Sequence, residues 1–301
     1  MAGPEALATT VAGVVARVAR QLRPALGDAA DGEARELVAA AMHQPRFWPS
    51  TAASAPLSPV DVAAIDAATA RRVAGAPMAY AVRSAPFRAL TLYVDERVLI
   101  PRPETEHLVD LVLATAQGKA GGVAVDVGTG SGALALALAT EGEFTRVVAT
   151  DLSADAIAVA RENARALAPV LSARRPGAVE FRSGDALAPL ADLNGSVDVL
   201  VSNPPYIAFA EVSELPASVR DWEPPQALAC PDDGLAVTRS IVAGAGSLLR
   251  PGGLLAFETD SRRARAVAEL VEQSGSFDEV RVLCDLTGRE RYVFASRRVA
   301  N

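Results

Sequence analysis

The chain has 301 residues, which is room for one large domain and a small one, and half of them are hydrophobic. No apolar run is long enough to span a bilayer, and the first charge, Glu5, does not fit a signal peptide. The net charge of −7 argues against binding along a phosphate backbone, and the isolated Cys230 and Cys284 exclude a disulfide framework or a cysteine metal site. We therefore expect a cytoplasmic, monomeric protein with no metal, no direct contact with nucleic acid and no membrane anchor.

Residues 1–76 are rich in alanine, show helical spacing of apolar residues and are divided by prolines into short helices. Ser58 stands directly before a proline and predicts the N-cap of a helix over 59–73. Phe47 and Trp48 are expected in the core of this region rather than against a ligand. The stretch contains no chemical motif, so the sequence predicts a small helical domain over 1–76.

The apolar pattern changes to a period of two between residues 78 and 98, which predicts a β-hairpin in a linker over 77–100. Pro103, followed by acidic residues, predicts the first turn of a helix. Arg102 stands at the corner between these elements. Its guanidinium fits equally well as a structural clamp or as a binder of a carboxylate ligand.

Strands and helices alternate beyond Gly121, which is typical of a parallel sheet. The predicted strands are 122–127, 146–151, 178–182, 197–202, 253–258, 278–284 and 290–296. The predicted helices are 131–140, 154–166, 235–248 and 261–274. The sequence therefore predicts an α/β domain over 101–301, built on a mostly parallel, Rossmann-like sheet of seven strands.

A glycine-rich turn follows the first of these strands, in the string VAVDVGTGSG. Gly128, Gly130 and Gly132 let a ligand lie against bare backbone, next to the N-terminus of a helix. The spacing also matches GxGxxA through Ala133, so a dinucleotide site is an alternative. Asp126 argues against a pyrophosphate beside the turn and suits the ammonium group of an amino-acid-like ligand.

Acidic residues end the next two strands. Asp151, at the tip of the second strand, is placed to accept hydrogen bonds from ribose hydroxyls; its alternative role is to cap the helix that starts near Ser153. Such an acid indicates a nucleoside without choosing between nicotinamide and S-adenosylmethionine cofactors. Asp185, followed by Ala186, ends the third strand where a carboxylate reaches an adenine amino group.

The stretch VDVLVSNPPY carries the most specific signal. A short buried strand over 197–202 stops at Asn203, and Pro204 and Pro205 allow neither a helix nor further strand pairing. This corner is rich in hydrogen-bond acceptors, and with Tyr206 it is suited to hold a planar NH2 group by its hydrogens. The alternative is a simple strand-ending turn capped by the asparagine.

The order of these features resembles a class I S-adenosylmethionine-dependent methyltransferase. Three further stretches, GAPMAY at 75–80, VLIPRPETE at 98–106 and EPPQAL at 223–228, narrow the resemblance to the HemK/PrmC family. That family methylates the side-chain nitrogen of the glutamine in the Gly-Gly-Gln motif of peptide chain release factors. The resemblance covers about residues 33–296, and it implies S-adenosylmethionine as the cofactor and a release factor as the protein partner.

The resemblance also implies roles for individual residues. The methionine part of the cofactor is expected beside Asp126, Gly128, Thr129, Gly130, Ser131, Gly132 and Asn203. Asp151 is expected to hold the ribose, and Asp185 with Ala186 to border the adenine. The substrate glutamine is expected against Asn203, Pro204, Pro205 and Tyr206, and residues 1–76 are expected to recognise the substrate protein.

Three alternatives stay open from the sequence. YVDERVL at 93–99 would suit a sister enzyme that methylates a glutamine of a large-subunit ribosomal protein, whereas PETE at 103–106 favours the release-factor branch. An adenine or guanine N-methyltransferase also uses an NPPY corner, but the charge of −7 argues against nucleic acid. A binding or sensing module without activity would not need an intact NPPY.

Overall fold

A computed structural model describes residues 9–116, 121–174 and 179–299 of the protein. The described chain divides into two compact units. One contains the residues up to Ala85 together with Ala217–Trp222, and the other contains Pro86–Pro216 and the residues from Glu223 onward. Within the described ranges, no helix is both long and apolar enough to cross a membrane.

The first unit is helical. Its helices are α1 (Val11–Leu26), α2 (Ala30–Ala41), α3 (Trp48–Thr51), α4 (Pro59–Val73) and α5 (Met78–Val82). Their apolar faces share a core that includes Val14, Leu37 and Ile65, all fully buried.

Helix α4 begins where the sequence predicts. The Ser58 hydroxyl oxygen accepts a hydrogen bond from the Asp61 backbone N–H at 3.2 Å, and the Asp61 carboxylate accepts one from the Ser58 N–H at 3.1 Å. This reciprocal pair is a capping box that satisfies two backbone donors at the helix start.

One residue of this unit departs from expectation. Phe47 is 76% exposed, so the prediction that it lies in the core is wrong, whereas the neighbouring Trp48 packs against the core of the unit. Phe47 directly precedes helix α3, which is only four residues long, and so short a helix presents only a narrow face to the core.

The predicted hairpin over 78–98 is shorter than expected. Its strands are β1 (Ala85–Phe87) and β2 (Leu90–Leu92), and residues 78–82 form helix α5 instead. The residues between Met78, Tyr80 and Val82 are alanines, which favour helix over strand, and Pro77 stands at the N-cap position of the helix. Period-two spacing over five residues was therefore an insufficient signal.

The second unit is built on a seven-stranded sheet. Its strands are β3 (Val123–Val127), β4 (Arg146–Asp151), β5 (Val179–Ser183), β6 (Val197–Ser202), β9 (Leu249–Glu258), β10 (Phe277–Cys284) and β11 (Glu290–Arg297). They lie in the order β10-β11-β9-β6-β3-β4-β5; β11 pairs antiparallel with both its neighbours and the other pairs are parallel. The predicted fold class is confirmed, although residue 178 of the third predicted strand lies outside the described residues.

Helices cover the sheet, and the short pair β7 (Ile207–Ala208) and β8 (Ala229–Cys230) lies apart from it. The helices of this unit are α6 (Pro103–Ala116), α7 (Ala133–Glu141), α8 (Ala154–Ala166), α9 (Ala168–Arg174), α11 (Pro225–Leu228), α12 (Ala236–Leu248) and α13 (Ala264–Gln273), and α10 (Ala217–Arg220) belongs to the first unit. Two hydrophobic clusters, containing Val199 and Leu200 respectively, fit opposite faces of the sheet.

The chain reverses its direction of travel across the sheet after β5. It first moves outward from β3 to β4 and β5, and then returns to place β6 on the other side of β3. In an open parallel sheet, the carboxyl ends of the strands at such a reversal are the usual place for a ligand.

Candidate functional site

A cleft of about 830 Å³, partly open to solvent, lies at the carboxyl ends of β3, β4 and β6. This volume includes the solvent space at the open mouth of the cleft. Eight residues predicted from the sequence line it: Gly128, Gly130, Asp151, Asp185, Ala186, Asn203, Pro204 and Pro205. The other predicted residues, Asp126, Thr129, Ser131, Gly132 and Tyr206, are not part of its wall.

The glycine turn after β3 has two kinds of glycine. Gly128 and Gly130 have φ angles of 77° and 55°, and apart from each glycine and its chain neighbours no described atom lies within 4 Å of the position that a Cβ would take. Gly132, at φ 86°, would instead place a Cβ 3.2 Å from the Cβ of Ala160 and from Cδ1 of Leu136. The first two glycines leave room for a ligand, whereas the third permits close packing of the helix that follows.

Asp151 joins the glycine turn to the next helix. Its carboxylate accepts hydrogen bonds from the backbone N–H groups of Gly130 and Ser153, each at 2.9 Å. The N-cap of helix α8 is Ser153, whose hydroxyl oxygen accepts from the Ala156 N–H at 3.1 Å. Asp151 is therefore not the N-cap itself, and each of its oxygens keeps a lone pair for a ligand in the cleft.

Asp126 is fully buried beneath the same turn. One oxygen accepts from the Thr129 hydroxyl at 2.6 Å and from the Ala135 N–H at 3.2 Å, which fixes the turn to the start of α7. Its other oxygen, Oδ1, has no donor among the described residues. Burial raises the pKa of Asp126 to about 7, although both hydrogen bonds oppose this effect.

The third strand end brings one charged and one apolar residue to the cleft. Asp185 is exposed there, and Ala186 is nearly buried. Ala186 has a φ of 43°, which is unusual for a residue with a Cβ, and its carbonyl accepts from the Thr150 hydroxyl at 3.2 Å. The pair thus gives the cleft an acceptor beside a small apolar surface.

The corner after β6 is fixed by contacts with buried neighbouring residues. All six residues of β6 are buried, and the Pro205 carbonyl accepts from the buried Cys230 thiol at 3.3 Å. Gly234, at φ 85°, approaches so closely that a Cβ would lie 2.3 Å from the Tyr206 carbonyl oxygen. Only glycine fits at this position, which sequence reasoning did not identify.

Tyr206 is partly buried next to the cleft rather than in its wall. Burial, together with the nearby Glu258, raises the pKa of its hydroxyl to about 12. The phenol therefore stays protonated at neutral pH and is not a base.

Asn203 is connected, one hydrogen bond after another, to two buried residues that the sequence did not reveal. Its side-chain amide donates to the Thr105 hydroxyl oxygen at 3.2 Å, and the Thr105 hydroxyl donates to Glu258 at 2.8 Å. Thr105 belongs to the quoted PETE string, but Glu258 stands in no motif, so no local signal points to the pair.

Arg102 is a structural clamp. Its guanidinium forms an ion pair with the buried Glu223, whose second oxygen accepts from the Ile100 N–H at 3.2 Å. The clamp connects two segments that line the cleft and that include Val98, Leu99, Pro224, Gln226 and Ala227. The VLIPRPETE and EPPQAL strings were the available signal for these segments.

Comparison with known proteins agrees with this site. Residues 105–216 match the family model of the methyltransferase small domain. The release factor glutamine methyltransferase of Cereibacter sphaeroides is 40% identical over 268 residues, which cover 89% of this chain and 91% of that protein. The corresponding protein of Burkholderia pseudomallei is 41% identical, with 92% of this chain and 94% of that protein covered. The chain belongs to the release factor glutamine methyltransferase family.

Solved structures show the fold that this release factor glutamine methyltransferase family member shares with other methyltransferases. A methyltransferase from Pyrococcus furiosus, 18% identical, aligns with a TM-score of 0.50 over 70% of this chain and 91% of its own. The catalytic domain of hMettl16, 15% identical, aligns with a TM-score of 0.55 over 81% and 83%. The sequence identities confirm the family predicted from the motifs, and these two alignments confirm the predicted fold.

The cleft of this family member fits the S-adenosylmethionine expected from the sequence. Gly128 and Gly130 leave open backbone that an added Cβ would fill, and Asp151 keeps lone pairs for hydroxyl donors. Leu152, at 69% exposure, adds an apolar surface to the cleft on which a flat base can pack.

Proposed function

We propose that this protein methylates the side-chain nitrogen of the glutamine in the Gly-Gly-Gln motif of peptide chain release factors, with S-adenosylmethionine as the methyl donor. The observation that carries the proposal is that the Asn203–Pro204–Pro205 corner and the Gly128–Gly130 turn line one cleft. A cofactor in the turn and an amide at the corner would therefore share a single space. The names of the family members support the same substrate.

Each part of the cofactor has a matching place. The open backbone at Gly128 and Gly130 would hold the methionine part. Asp126, buried beneath the turn, would act on the ammonium group through the charge of its carboxylate rather than by direct contact. Thr129, Ser131 and Gly132 would act by shaping the turn, because they lie behind the wall. Asp151 would accept from the ribose hydroxyls, and Asp185 with Ala186 would border the adenine.

The corner would activate a poor nucleophile. The nitrogen of a primary amide donates its lone pair to the carbonyl group, so it needs help to attack. When bound, S-adenosylmethionine supplies a methyl group on a positively charged sulfur. The Asn203 side-chain oxygen and the Pro204 carbonyl would each accept one N–H of the glutamine, which orients the nitrogen and stabilises positive charge as it develops.

Selectivity follows from the same two acceptors. A group with only one N–H would leave one of them without a donor in the transition state, and such mismatches are costly. Tyr206 would pack beside the amide plane as a neutral phenol. No strong base is required, because the methylated amide is acidic and releases its proton to solvent.

We further propose that residues 1–76 recognise the protein substrate, that 77–100 link the two parts and that 101–301 carry the chemistry. None of the described residues of the helical unit lines the cleft, and this unit exposes apolar side chains such as Phe47 and Val60. Contact with a protein partner would remove these apolar side chains from water.

The proposal is tested with labelled S-adenosylmethionine and three substrates: a bacterial release factor, large-subunit ribosomal proteins and ribosomal RNA. We expect label on the release factor alone. Label on a ribosomal protein or on the RNA would instead favour the two alternative enzymes, and cofactor binding without transfer would favour a sensing module.

A further inference from the structure

A chain of three polar side chains runs from the cleft into the core behind the catalytic corner. Asn203 lies in the cleft wall, Thr105 is 6% exposed, and Glu258 is 1% exposed. The Asn203 amide nitrogen donates to the Thr105 oxygen at 3.2 Å, and the Thr105 hydroxyl donates to Glu258 at 2.8 Å. Burying a carboxylate is costly, so this arrangement calls for a functional explanation.

The fold brings these residues together from distant parts of the chain. Strands β6 and β9 pair in parallel with Ser202 beside Phe257, so the residues that follow them, Asn203 and Glu258, emerge side by side. On the other side of Glu258, β11 places Tyr292, whose hydroxyl donates to the Glu104 carbonyl at 2.7 Å. That bond fixes the first turn of α6 and, with it, Thr105.

The donor and acceptor capacities permit only one orientation of the Asn203 amide. An ionised Glu258 can only accept, so it takes the single hydroxyl hydrogen of Thr105. The Thr105 oxygen can then only accept, and Asn203 must offer its NH2 group to it. The carbonyl oxygen on the opposite side of the amide is therefore the part that remains for a ligand in the cleft.

We propose that Thr105 and Glu258 are positioning residues, which lock the Asn203 side chain with its oxygen toward the substrate amide. The inference rests on the proposed function, because an acceptor at this place is what a glutamine NH2 needs. Without the lock, the Asn203 amide would also turn its own NH2 toward the substrate, and two donors would face each other.

Protonation of Glu258 would remove the constraint on the Asn203 amide. A protonated carboxyl can donate to the Thr105 oxygen, and in that arrangement the Thr105 hydroxyl donates to Asn203, whose oxygen turns inward. The lock therefore holds above the pKa of Glu258 and is lost as the pH falls through it. Burial raises that pKa to about 7 against the hydrogen bond from Thr105. The charged or titratable groups that face Glu258 are Arg102, Glu104, Tyr206, Arg291 and Tyr292.

The first test separates positioning from mere packing. Thr105→Val removes the hydroxyl at nearly constant volume and should lower kcat about ten- to a hundredfold, approaching the loss of an acceptor in the transition state. Thr105→Ser restores the hydroxyl and should restore most of the rate. Thr115→Val is the matched control, since Thr115 lies exposed on the same helix and donates only to the Leu111 carbonyl. Affinity for S-adenosylhomocysteine should be unchanged in all three variants.

The second test follows the orientation of the Asn203–Thr105–Glu258 hydrogen bonds directly. In the wild type, kcat at saturating cofactor should fall as the pH falls through the pKa of Glu258, and Glu258→Gln should abolish that part of the profile. NMR of the ¹⁵N-labelled chain, with the Asn203 side-chain NH2 signal assigned by its loss in Asn203→Ala, should show a signal that shifts over the same pH range. The shift should be absent in Glu258→Gln and in Thr105→Val.

The outcomes are distinguishable. A wild type that does not methylate release factor would refute the proposed function, and the NMR signal would still report on the lock. The lock itself is wrong if Thr105→Val keeps the wild-type rate, if Thr105→Ser is as slow as Thr105→Val, or if the Asn203 signal is the same in wild type and Thr105→Val. Should Thr105→Val fail to fold, the kcat pH profile and the pH dependence of the Asn203 signal, each compared between wild type and Glu258→Gln, decide.

Discussion

Replacement of Asp151 tests how the cleft binds its cofactor. The carboxylate uses one lone pair of each oxygen on a backbone N–H, of Gly130 and of Ser153, both at 2.9 Å. The remaining lone pairs are the expected partners of the ribose hydroxyls. Asp151→Ala should therefore weaken binding of S-adenosylhomocysteine by about 1.5–3 kcal/mol, because hydrogen bonds to a charged group are lost. This corresponds to a roughly ten- to 150-fold higher Kd.

The same replacement also leaves two backbone donors without acceptors, so a cost in folding stability of about 1–3 kcal/mol is expected besides. Isothermal titration calorimetry measures the affinity, and thermal unfolding without ligand measures the stability. Asp155→Ala is the control, because Asp155 is an exposed acid in the first turn of the same helix. It should leave both quantities close to the wild-type values.

Two results would refute this reasoning. If Asp151→Ala loses stability but keeps the wild-type affinity, the carboxylate only braces the turn. If the wild type binds NADH at micromolar concentration and does not bind S-adenosylhomocysteine, the site belongs to a dinucleotide.

Three further predictions concern other parts of the protein. Asn203→Ala should slow single-turnover methyl transfer about a hundredfold or more while cofactor affinity changes little, since one of two acceptors is lost; a wild-type rate would show that the corner is only a turn. Because the pKa of Asp126 is raised to about 7, its burial should lower the free energy of unfolding as the pH rises from about 4 to about 7, by up to about 1.4 kcal/mol per pH unit. Denaturant titrations should show a weaker pH dependence in Asp126→Asn, and an unchanged one would mean that this carboxyl titrates normally. Phe47→Ser should raise KM for whole release factor several-fold, yet leave KM for a short Gly-Gly-Gln peptide and the affinity for cofactor unchanged; equal effects on both substrates would contradict the assignment of recognition to residues 1–76.

The sheet was predictable because its central strands are buried on both faces and read as short apolar runs between turn residues. The glycine turn, Asp151 and the NPPY corner each stand at the end of such a run, so their places at the sheet edge were predictable too. Over residues 78–82 the alternating pattern covers only five residues. Helix propensity determined the structure there, and the strand prediction was wrong.

The support behind the corner was not predictable. Thr105 and Glu258 are 153 positions apart in sequence. They meet because β9 pairs with β11, which places Tyr292 beside Glu258, and the Tyr292 hydroxyl holds the first turn of α6. Glu258 looks like an ordinary strand-ending acid in the sequence. Gly132 also has a packing role that the sequence did not indicate, because a Cβ there would meet Ala160 and Leu136. Contacts between residues that are far apart in the sequence produce no periodic pattern in it.

The central claim is that this protein transfers a methyl group to the side-chain nitrogen of one glutamine. The most direct measurement is a fragment mass spectrum of a release factor after incubation with the protein and S-adenosylmethionine, compared with the same reaction of Asn203→Ala. We expect one added methyl group, located on the glutamine of the Gly-Gly-Gln motif, with the wild type and little or none with the variant. A methyl group on any other residue, or an unmodified release factor with cofactor bound, would contradict the account.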